Sequence, residues 1–137
     1  MTLRTSDVTG STTSKRAVVA VYDILGFCNQ TFQGADRIAS ALDAIVLMPD
    51  FFKGEPLPGD IFPPDTDEKK KIAGDFMQGK ANVPMTVGKL NELVLEAKGK
   101  HTNAESWGVY GLCWGGKVGL CSLEEKRDSV NAWASTY

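Results

Sequence analysis

A cysteine in a short glycine-rich segment is the strongest candidate for chemistry in this sequence. Residues 111–115 read GLCWG, between an apolar run and a second apolar stretch, which predicts a strand, a tight turn and a helix. A nucleophile on such a turn needs residues without a Cβ two positions before and after it, and Gly111 and Gly115 meet this need. A helix beginning just after Cys113 would direct its backbone N–H groups and positive dipole end at the sulfur, which favours the reactive thiolate.

The same segment fits two other interpretations. Free cysteine is among the residues most often buried in protein cores, so an inert packed thiol at Cys113 also agrees with the pattern. The residues from Gly111 to Lys117 come close to the G-x-x-x-x-G-K motif of a phosphate-binding loop. However, Val118 stands where that motif needs a Mg²⁺-binding Ser or Thr, and the bulky Trp114 lies within the loop. Nucleotide binding is therefore the weaker interpretation.

Composition argues against several classes of protein. The chain has 137 residues, of which 42% are hydrophobic, and a net charge of −2, which suits one soluble domain. No apolar stretch approaches the roughly 20 residues of a membrane span, and the charge balance provides no basic face for nucleic acid. Three cysteines (Cys28, Cys113 and Cys121) without a signal peptide predict reduced thiols and a cytoplasmic location.

The order of apolar segments predicts an α/β fold. Continuous apolar runs at 17–22 and 44–48 are typical of strands buried on both faces, the residues before Cys113 are predicted to form a third strand, and 130–134 resembles a fourth. Helices alternating with these strands predict a four-stranded, mostly parallel sheet flanked by helices, in the order second, first, third and fourth strand. The polar residues 1–16 are expected to form a flexible N-terminus ahead of a domain at 17–137.

The spacing of apolar residues predicts the helices between these strands. Ala35 and Leu42 belong to one amphipathic stripe, and a stripe that starts at Val83 ends near Gly99. Another helix is expected to begin after an N-cap at Asp65. The intervening residues 51–64, which include four prolines and three phenylalanines, are predicted to form an irregular loop that packs against the domain.

Several motifs, in a fixed order, identify the family that this sequence resembles. They are YDILGF (22–27), QGAD (33–36), MPDFFKG (48–54), PPDT (63–66), EKKK (68–71) and GLCWGGK (111–117). Taken together they resemble the dienelactone hydrolase family of α/β-hydrolases, and in particular its fungal members. The resemblance covers residues 17 to about 123 and implies a partial α/β-hydrolase fold.

The resemblance implies a hydrolase that cleaves small lactones or carboxylic esters through a thioester intermediate, with no metal and no organic cofactor. Cys113 matches the nucleophile of the family. The backbone N–H groups of Trp114 and Ile24 would form the oxyanion hole. Asp23 lies where relatives carry an acidic residue, often Glu, that contacts the resting thiol, and it fits equally well a turn residue at the end of a strand.

The other two members of the family's Cys-His-Asp triad have no obvious counterpart, because both should follow the nucleophile in the chain. The one histidine, His101, precedes the strand that leads to Cys113. The length of that strand separates His101 from Cys113 by about 20 Å. Asp128, the only Asp after Cys113, lies ahead of the fourth strand. We therefore expect a fragment of a larger hydrolase, or an inactive binding module, that self-associates through exposed sheet edges.

Overall fold

The structure is a computed structural model that describes residues 5–125 and 132–136. Its centre is a five-stranded sheet in the order β1-β3-β2-β4-β5. The strands are β1 (Thr5–Thr9), β2 (Arg16–Val21), β3 (Ala44–Pro49), β4 (Ser106–Leu112) and β5 (Ala132–Thr136). Strand β1 is antiparallel to β3, whereas all other neighbours are parallel. The predicted order of the four parallel strands is confirmed.

The described residues form four α-helices around the sheet. They are α1 (Asn29–Leu42), α2 (Asp67–Gln78), α3 (Val83–Lys100) and α4 (Trp114–Glu125). Helix α1 packs Ala35 and Ala39 against the face that carries Val46 and Met48 of β3. Helices α3 and α4 belong to the larger core on the opposite face. The result is a sandwich of helix, sheet and helix layers.

Burial on both faces explains why the central strands read as continuous apolar runs. In β2, Ala17, Val19 and Val21 belong to the larger core cluster, whereas Ala20 belongs to the smaller cluster beneath α1. Strand β3 is buried at all six of its positions. A strand with an exposed face would instead have alternated apolar and polar residues.

The N-terminal segment differs from the prediction. The expectation of a flexible polar N-terminus over residues 1–16 does not hold for Thr5–Thr9, which form β1 along the edge of β3. The segment carries two threonines and Val8, and such β-branched side chains suit a strand even without an apolar run. Because β1 covers β3, the predicted open edge at β3 is absent from the sheet.

The start of helix α2 also differs from the prediction in one residue. Its N-cap is Thr66, whose side-chain oxygen accepts a hydrogen bond from the Lys69 N–H at 3.2 Å. The predicted cap, Asp65, instead forms an ion pair with the Lys69 side chain at 3.1 Å. An N-cap accepts from the N–H two or three residues further on, and the helix starts one residue too late for Asp65 to fill that role.

Candidate active site

Cys113 alone connects β4 to α4. The strand ends at Leu112 and the helix begins at Trp114. The φ angle of Cys113 is 53°, in the left-handed region that costs a residue with a Cβ about 1–2 kcal/mol. The Cys113 carbonyl accepts from the Gly116 N–H at 3.0 Å, within the first turn of α4. The residue is exposed, so the strained turn presents its thiol to solvent at the carboxyl end of β4.

Gly111 and Gly115 permit backbone contacts that a side chain would block. A Cβ on Gly111 would lie 2.2 Å from the carbonyl carbon of Gly115. A Cβ on Gly115 would lie 2.2 Å from the carbonyl oxygen of Val21 and 2.5 Å from that of Tyr22. The steric reason predicted for both glycines is confirmed. Gly115 also brings the start of α4 against the end of β2.

The turn at Cys113 between β4 and α4, called the elbow below, lies where the order of the strands in the sheet reverses. Strands β2 and β4 are neighbours, with Val21 paired to Gly111. The connection after β2 leads to β3 on one side, and the connection after β4 leads to β5 on the other. In open parallel sheets the crevice at the carboxyl ends of two such strands is the usual ligand site. Asp23 and Ile24, which follow β2, therefore lie at the same edge of the sheet as the elbow.

The turn after β2 is stabilised by hydrogen bonds within the turn and by one to the segment around Leu57. A carboxylate oxygen of Asp23 accepts from the Leu25 N–H at 2.7 Å, and its carbonyl accepts from the Gly26 N–H at 3.1 Å. The carbonyl of Ile24 accepts from the Leu57 N–H at 3.1 Å. The carboxylate of Asp23 thus stabilises the turn, as a turn residue at a strand end would.

An aromatic cluster that sequence analysis did not identify as a unit lies beside the elbow. The indole of Trp114 lies 4.8 Å from the Phe52 ring and 6.5 Å from the Tyr22 ring, measured between ring centroids. Its Nε1–H donates to the Ala81 carbonyl at 2.9 Å. Phe51 and Phe52 are buried, as predicted for their loop, whereas Phe62 is 46% exposed. The sequence signal for the cluster was that YD and PDFF follow neighbouring buried strands.

His101 lies at the opposite end of β4 from the thiol. It follows the last residue of α3, where its N–H donates to the Ala97 carbonyl at 2.8 Å. The seven residues of β4 then separate this position from Cys113, a length of about 20 Å. His101 thus lies in the segment between α3 and β4, as its position in the sequence predicts. Asp128 lies outside the described residues.

The phosphate-loop interpretation does not agree with the structure. Gly111 and Leu112 belong to β4, and buried Trp114 begins α4, so these residues form no open loop between strand and helix.

Among the residues that the structure describes, no three His, Cys, Asp or Glu side chains lie close enough to hold a metal ion. In the same part of the chain, no helix has the length and apolar character needed to cross a membrane.

Two open clefts lie on the α2 side of the molecule. One, of about 480 Å³, lies between α2 and the segment around Pro56. The other, of about 550 Å³, is lined by Phe51, Phe52 and the start of α3. The Glu55–Lys80 ion pair lines both. Neither cleft is lined by Cys113, and we assign neither to the reaction.

The strand order and the strained strand-to-helix turn define an α/β-hydrolase fold. The sequence pattern of the dienelactone hydrolase family matches residues 5–137, and the chain belongs to this family. The predicted resemblance is confirmed.

Two relatives and two solved structures extend this comparison. The chain is 36% and 34% identical to two uncharacterized AIM2 family proteins of Schizosaccharomyces pombe, over 83% and 87% of its own length. These matches cover 45% and 47% of the relatives, so the chain spans about half their length. In fold it is similar to the dienelactone hydrolase of Anabaena variabilis, with a TM-score of 0.67 at 11% identity, over 98% of this chain and 60% of that one. It is also similar to P91, a dienelactone hydrolase-like promiscuous phosphotriesterase from metagenomic libraries, with a TM-score of 0.63 at 16% identity, over 90% and 47%.

Proposed function

We propose that this chain carries the nucleophile and the oxyanion hole of a lactone or carboxylic ester hydrolase, with Cys113 as the nucleophile. The observation that carries this proposal is the exposed thiol on a left-handed residue between β4 and α4, next to the end of β2. Backbone strain of this kind is retained where surrounding structure enforces it, commonly at functional sites. Membership of the dienelactone hydrolase family supports a small lactone or ester as the substrate.

In the proposed first step, the Cys113 thiolate attacks the carbonyl carbon of the substrate. A carbon–sulfur bond forms and the carbonyl electron pair moves to oxygen. The N–H groups of Trp114 and Ile24 hold this oxyanion. The Trp114 N–H is free to do so because the first N–H groups of a helix, here α4, have no acceptor within the helix. When the intermediate collapses, the carbonyl re-forms and the ester or lactone carbon–oxygen bond breaks. The alkoxide released in this way takes a proton from water. Cys113 is left as a thioester.

In the second step, water attacks the thioester and releases the acid, and this step needs a general base. The one histidine of the sequence lies at the far end of β4. This observation favours a second function for the chain by itself, an acyl acceptor or binding module that does not turn over its substrate.

Reaction with p-nitrophenyl acetate tests both steps, with Cys113→Ala as the control. We expect at most one acetyl group per wild-type molecule, held as a thioester, and no acetyl thioester in the variant.

Alkylation tests the proposed activation of the thiol. We expect iodoacetamide to modify Cys113 faster than Cys28 or Cys121, because the left-handed turn exposes the Cys113 sulfur, whereas the Cys28 sulfur lies 3.1 Å from the Thr31 hydroxyl and Cys121 is only partly exposed. Cys28 is a strict comparator, since it is also exposed and also precedes a helix, but in extended backbone with a φ of −148°. Mass-spectrometric mapping of the native protein gives the three rates. Faster labelling of Cys28 or Cys121 would contradict the proposal.

We further propose that the carboxylate of Asp23, besides its hydrogen bond with Leu25, faces the Cys113 thiol. Asp23→Asn keeps an oxygen that can accept from the Leu25 N–H and removes the charge. A carboxylate beside the thiol would repel the attacking sulfur anion, so Cys113 should alkylate faster in the variant. Added salt should shrink the difference. Equal rates in wild type and variant would leave Asp23 only its role in the turn.

A further inference from the structure

One buried hydroxyl joins the ends of two strands at the crevice. Tyr22 directly follows β2 and is 2% exposed. Its hydroxyl donates to a carboxylate oxygen of Asp50 at 2.8 Å and accepts from the Phe52 N–H at 2.7 Å. Asp50 and Phe52 follow β3, so these two bonds fasten the segment after β2 to the segment after β3.

The direction of both hydrogen bonds is determined by chemistry. A phenol has a single proton, and a backbone N–H can only donate, so the Tyr22 proton goes to the Asp50 carboxylate. Burial raises the pKa of Tyr22 well above its ordinary value, a shift that the Phe52 N–H partly opposes and Asp50 reinforces. The hydroxyl therefore stays protonated at neutral pH and keeps both partners.

Tyr22 also lies close to Ile24 and Trp114, the two residues whose N–H groups are proposed to hold the oxyanion. It lies two positions before Ile24, on the same short turn, and its ring stacks near the Trp114 indole with centroids 6.5 Å apart. Its ring also stacks on Phe52 at 5.0 Å, and Phe52 contacts Trp114. An oxyanion hole works only when its donors lie about 2.7–3.1 Å from the oxyanion, so the relative placement of two segments must be held closely.

We infer that Tyr22 is a positioning residue that sets the spacing of the Ile24 and Trp114 N–H groups through its bonds to Asp50 and Phe52. This inference rests on the proposed function. It predicts that loss of the hydroxyl impairs reactions that pass through an oxyanion and spares reactions of the same thiol that do not.

The test compares two reactions of Cys113 in Tyr22→Phe and wild type. The substitution keeps the ring and removes the hydroxyl, which leaves the Phe52 N–H and the Asp50 carboxylate without this partner. Acylation by p-nitrophenyl acetate passes through an oxyanion, whereas displacement of iodide from iodoacetamide does not. Removing a single oxyanion donor costs on the order of 100-fold, so we expect acylation to slow about ten-fold when the donors are only displaced. Alkylation should change less than about two-fold.

Three further variants make the outcome decisive. Tyr110→Phe removes the hydroxyl of a half-buried tyrosine on β4 and should leave both rates unchanged. Asp50→Asn keeps an acceptor for Tyr22 and should retain most of the acylation rate. If Tyr22→Phe does not fold, Asp50→Ala removes one of its two partners and should show the same split between the reactions.

Two results would overturn the inference about Tyr22. They are unchanged acylation in Tyr22→Phe, and an equal fall in acylation and alkylation, which would mark a general disturbance of the elbow. Absence of acylation in the wild-type protein is a different result. It would refute the proposed function itself, and the inference with it.

Discussion

Gly115→Ala is expected to lower the free energy of unfolding by about 3 kcal/mol, at the upper end of the usual cost of overpacking. The added Cβ would lie 2.2 Å from the Val21 carbonyl oxygen and 2.5 Å from that of Tyr22. These are backbone atoms, which cannot rotate away as a flexible side chain would. Helix α4 must therefore move off the end of β2, and the elbow moves with it.

Urea and thermal denaturation measure this effect, with Gly88→Ala as the matched control. Gly88 lies in α3, where an added Cβ meets no atom within 4 Å, so alanine should stabilise the helix by about 0.5–1 kcal/mol. We expect Gly115→Ala to lower Tm by roughly 10 °C. A Gly115→Ala protein as stable as wild type would show that the close contact between α4 and β2 does not exist in solution.

The wild-type chain is expected to release at most one equivalent of p-nitrophenolate from p-nitrophenyl acetate and then to stop. A few per cent of an ordinary thiol is ionised near pH 7, so acylation proceeds without a base, whereas hydrolysis of the thioester needs one. Removal of the base from a well-studied hydrolase costs on the order of 10⁶ in turnover. His101, at the amino end of β4, cannot supply it.

Burst and steady-state phases must be recorded separately, for wild type and for Cys113→Ala. The steady-state rates of the two proteins should be equal, and the burst should appear in wild type alone. Sustained turnover that Cys113→Ala abolishes would contradict this prediction. It would mean that another group within reach of the thioester acts as the base.

The central fold could be predicted because its signals are local. A strand buried on both faces must be apolar throughout, and the runs at 17–22 and 44–48 show this directly. The elbow could be predicted because Gly111 and Gly115 are required sterically by the turn itself. In both cases the physical constraint acts on neighbouring residues of the chain.

The remaining features depend on contacts between distant segments. Strand β1 is a polar edge strand that takes its hydrogen bonds from β3, and no apolar period marks it. The partnership of Tyr22 with Asp50 depends on β2 and β3 being neighbours in register, which makes two strand ends 28 residues apart meet at one edge. The N-cap at Thr66 rather than Asp65 depends on where the helix starts, which composition alone does not determine.

Peptide mapping of the native protein after reaction with limiting p-nitrophenyl acetate tests the central claim most directly. The proposal that Cys113 accepts the acyl group predicts one acetyl group, on the peptide that contains Cys113, as a thioester that hydroxylamine removes. In Cys113→Ala the acetyl group should disappear rather than move to another residue. Acetylation spread over Cys28, Cys121 and the lysines, and unchanged in Cys113→Ala, would contradict the assignment of Cys113 as the nucleophile.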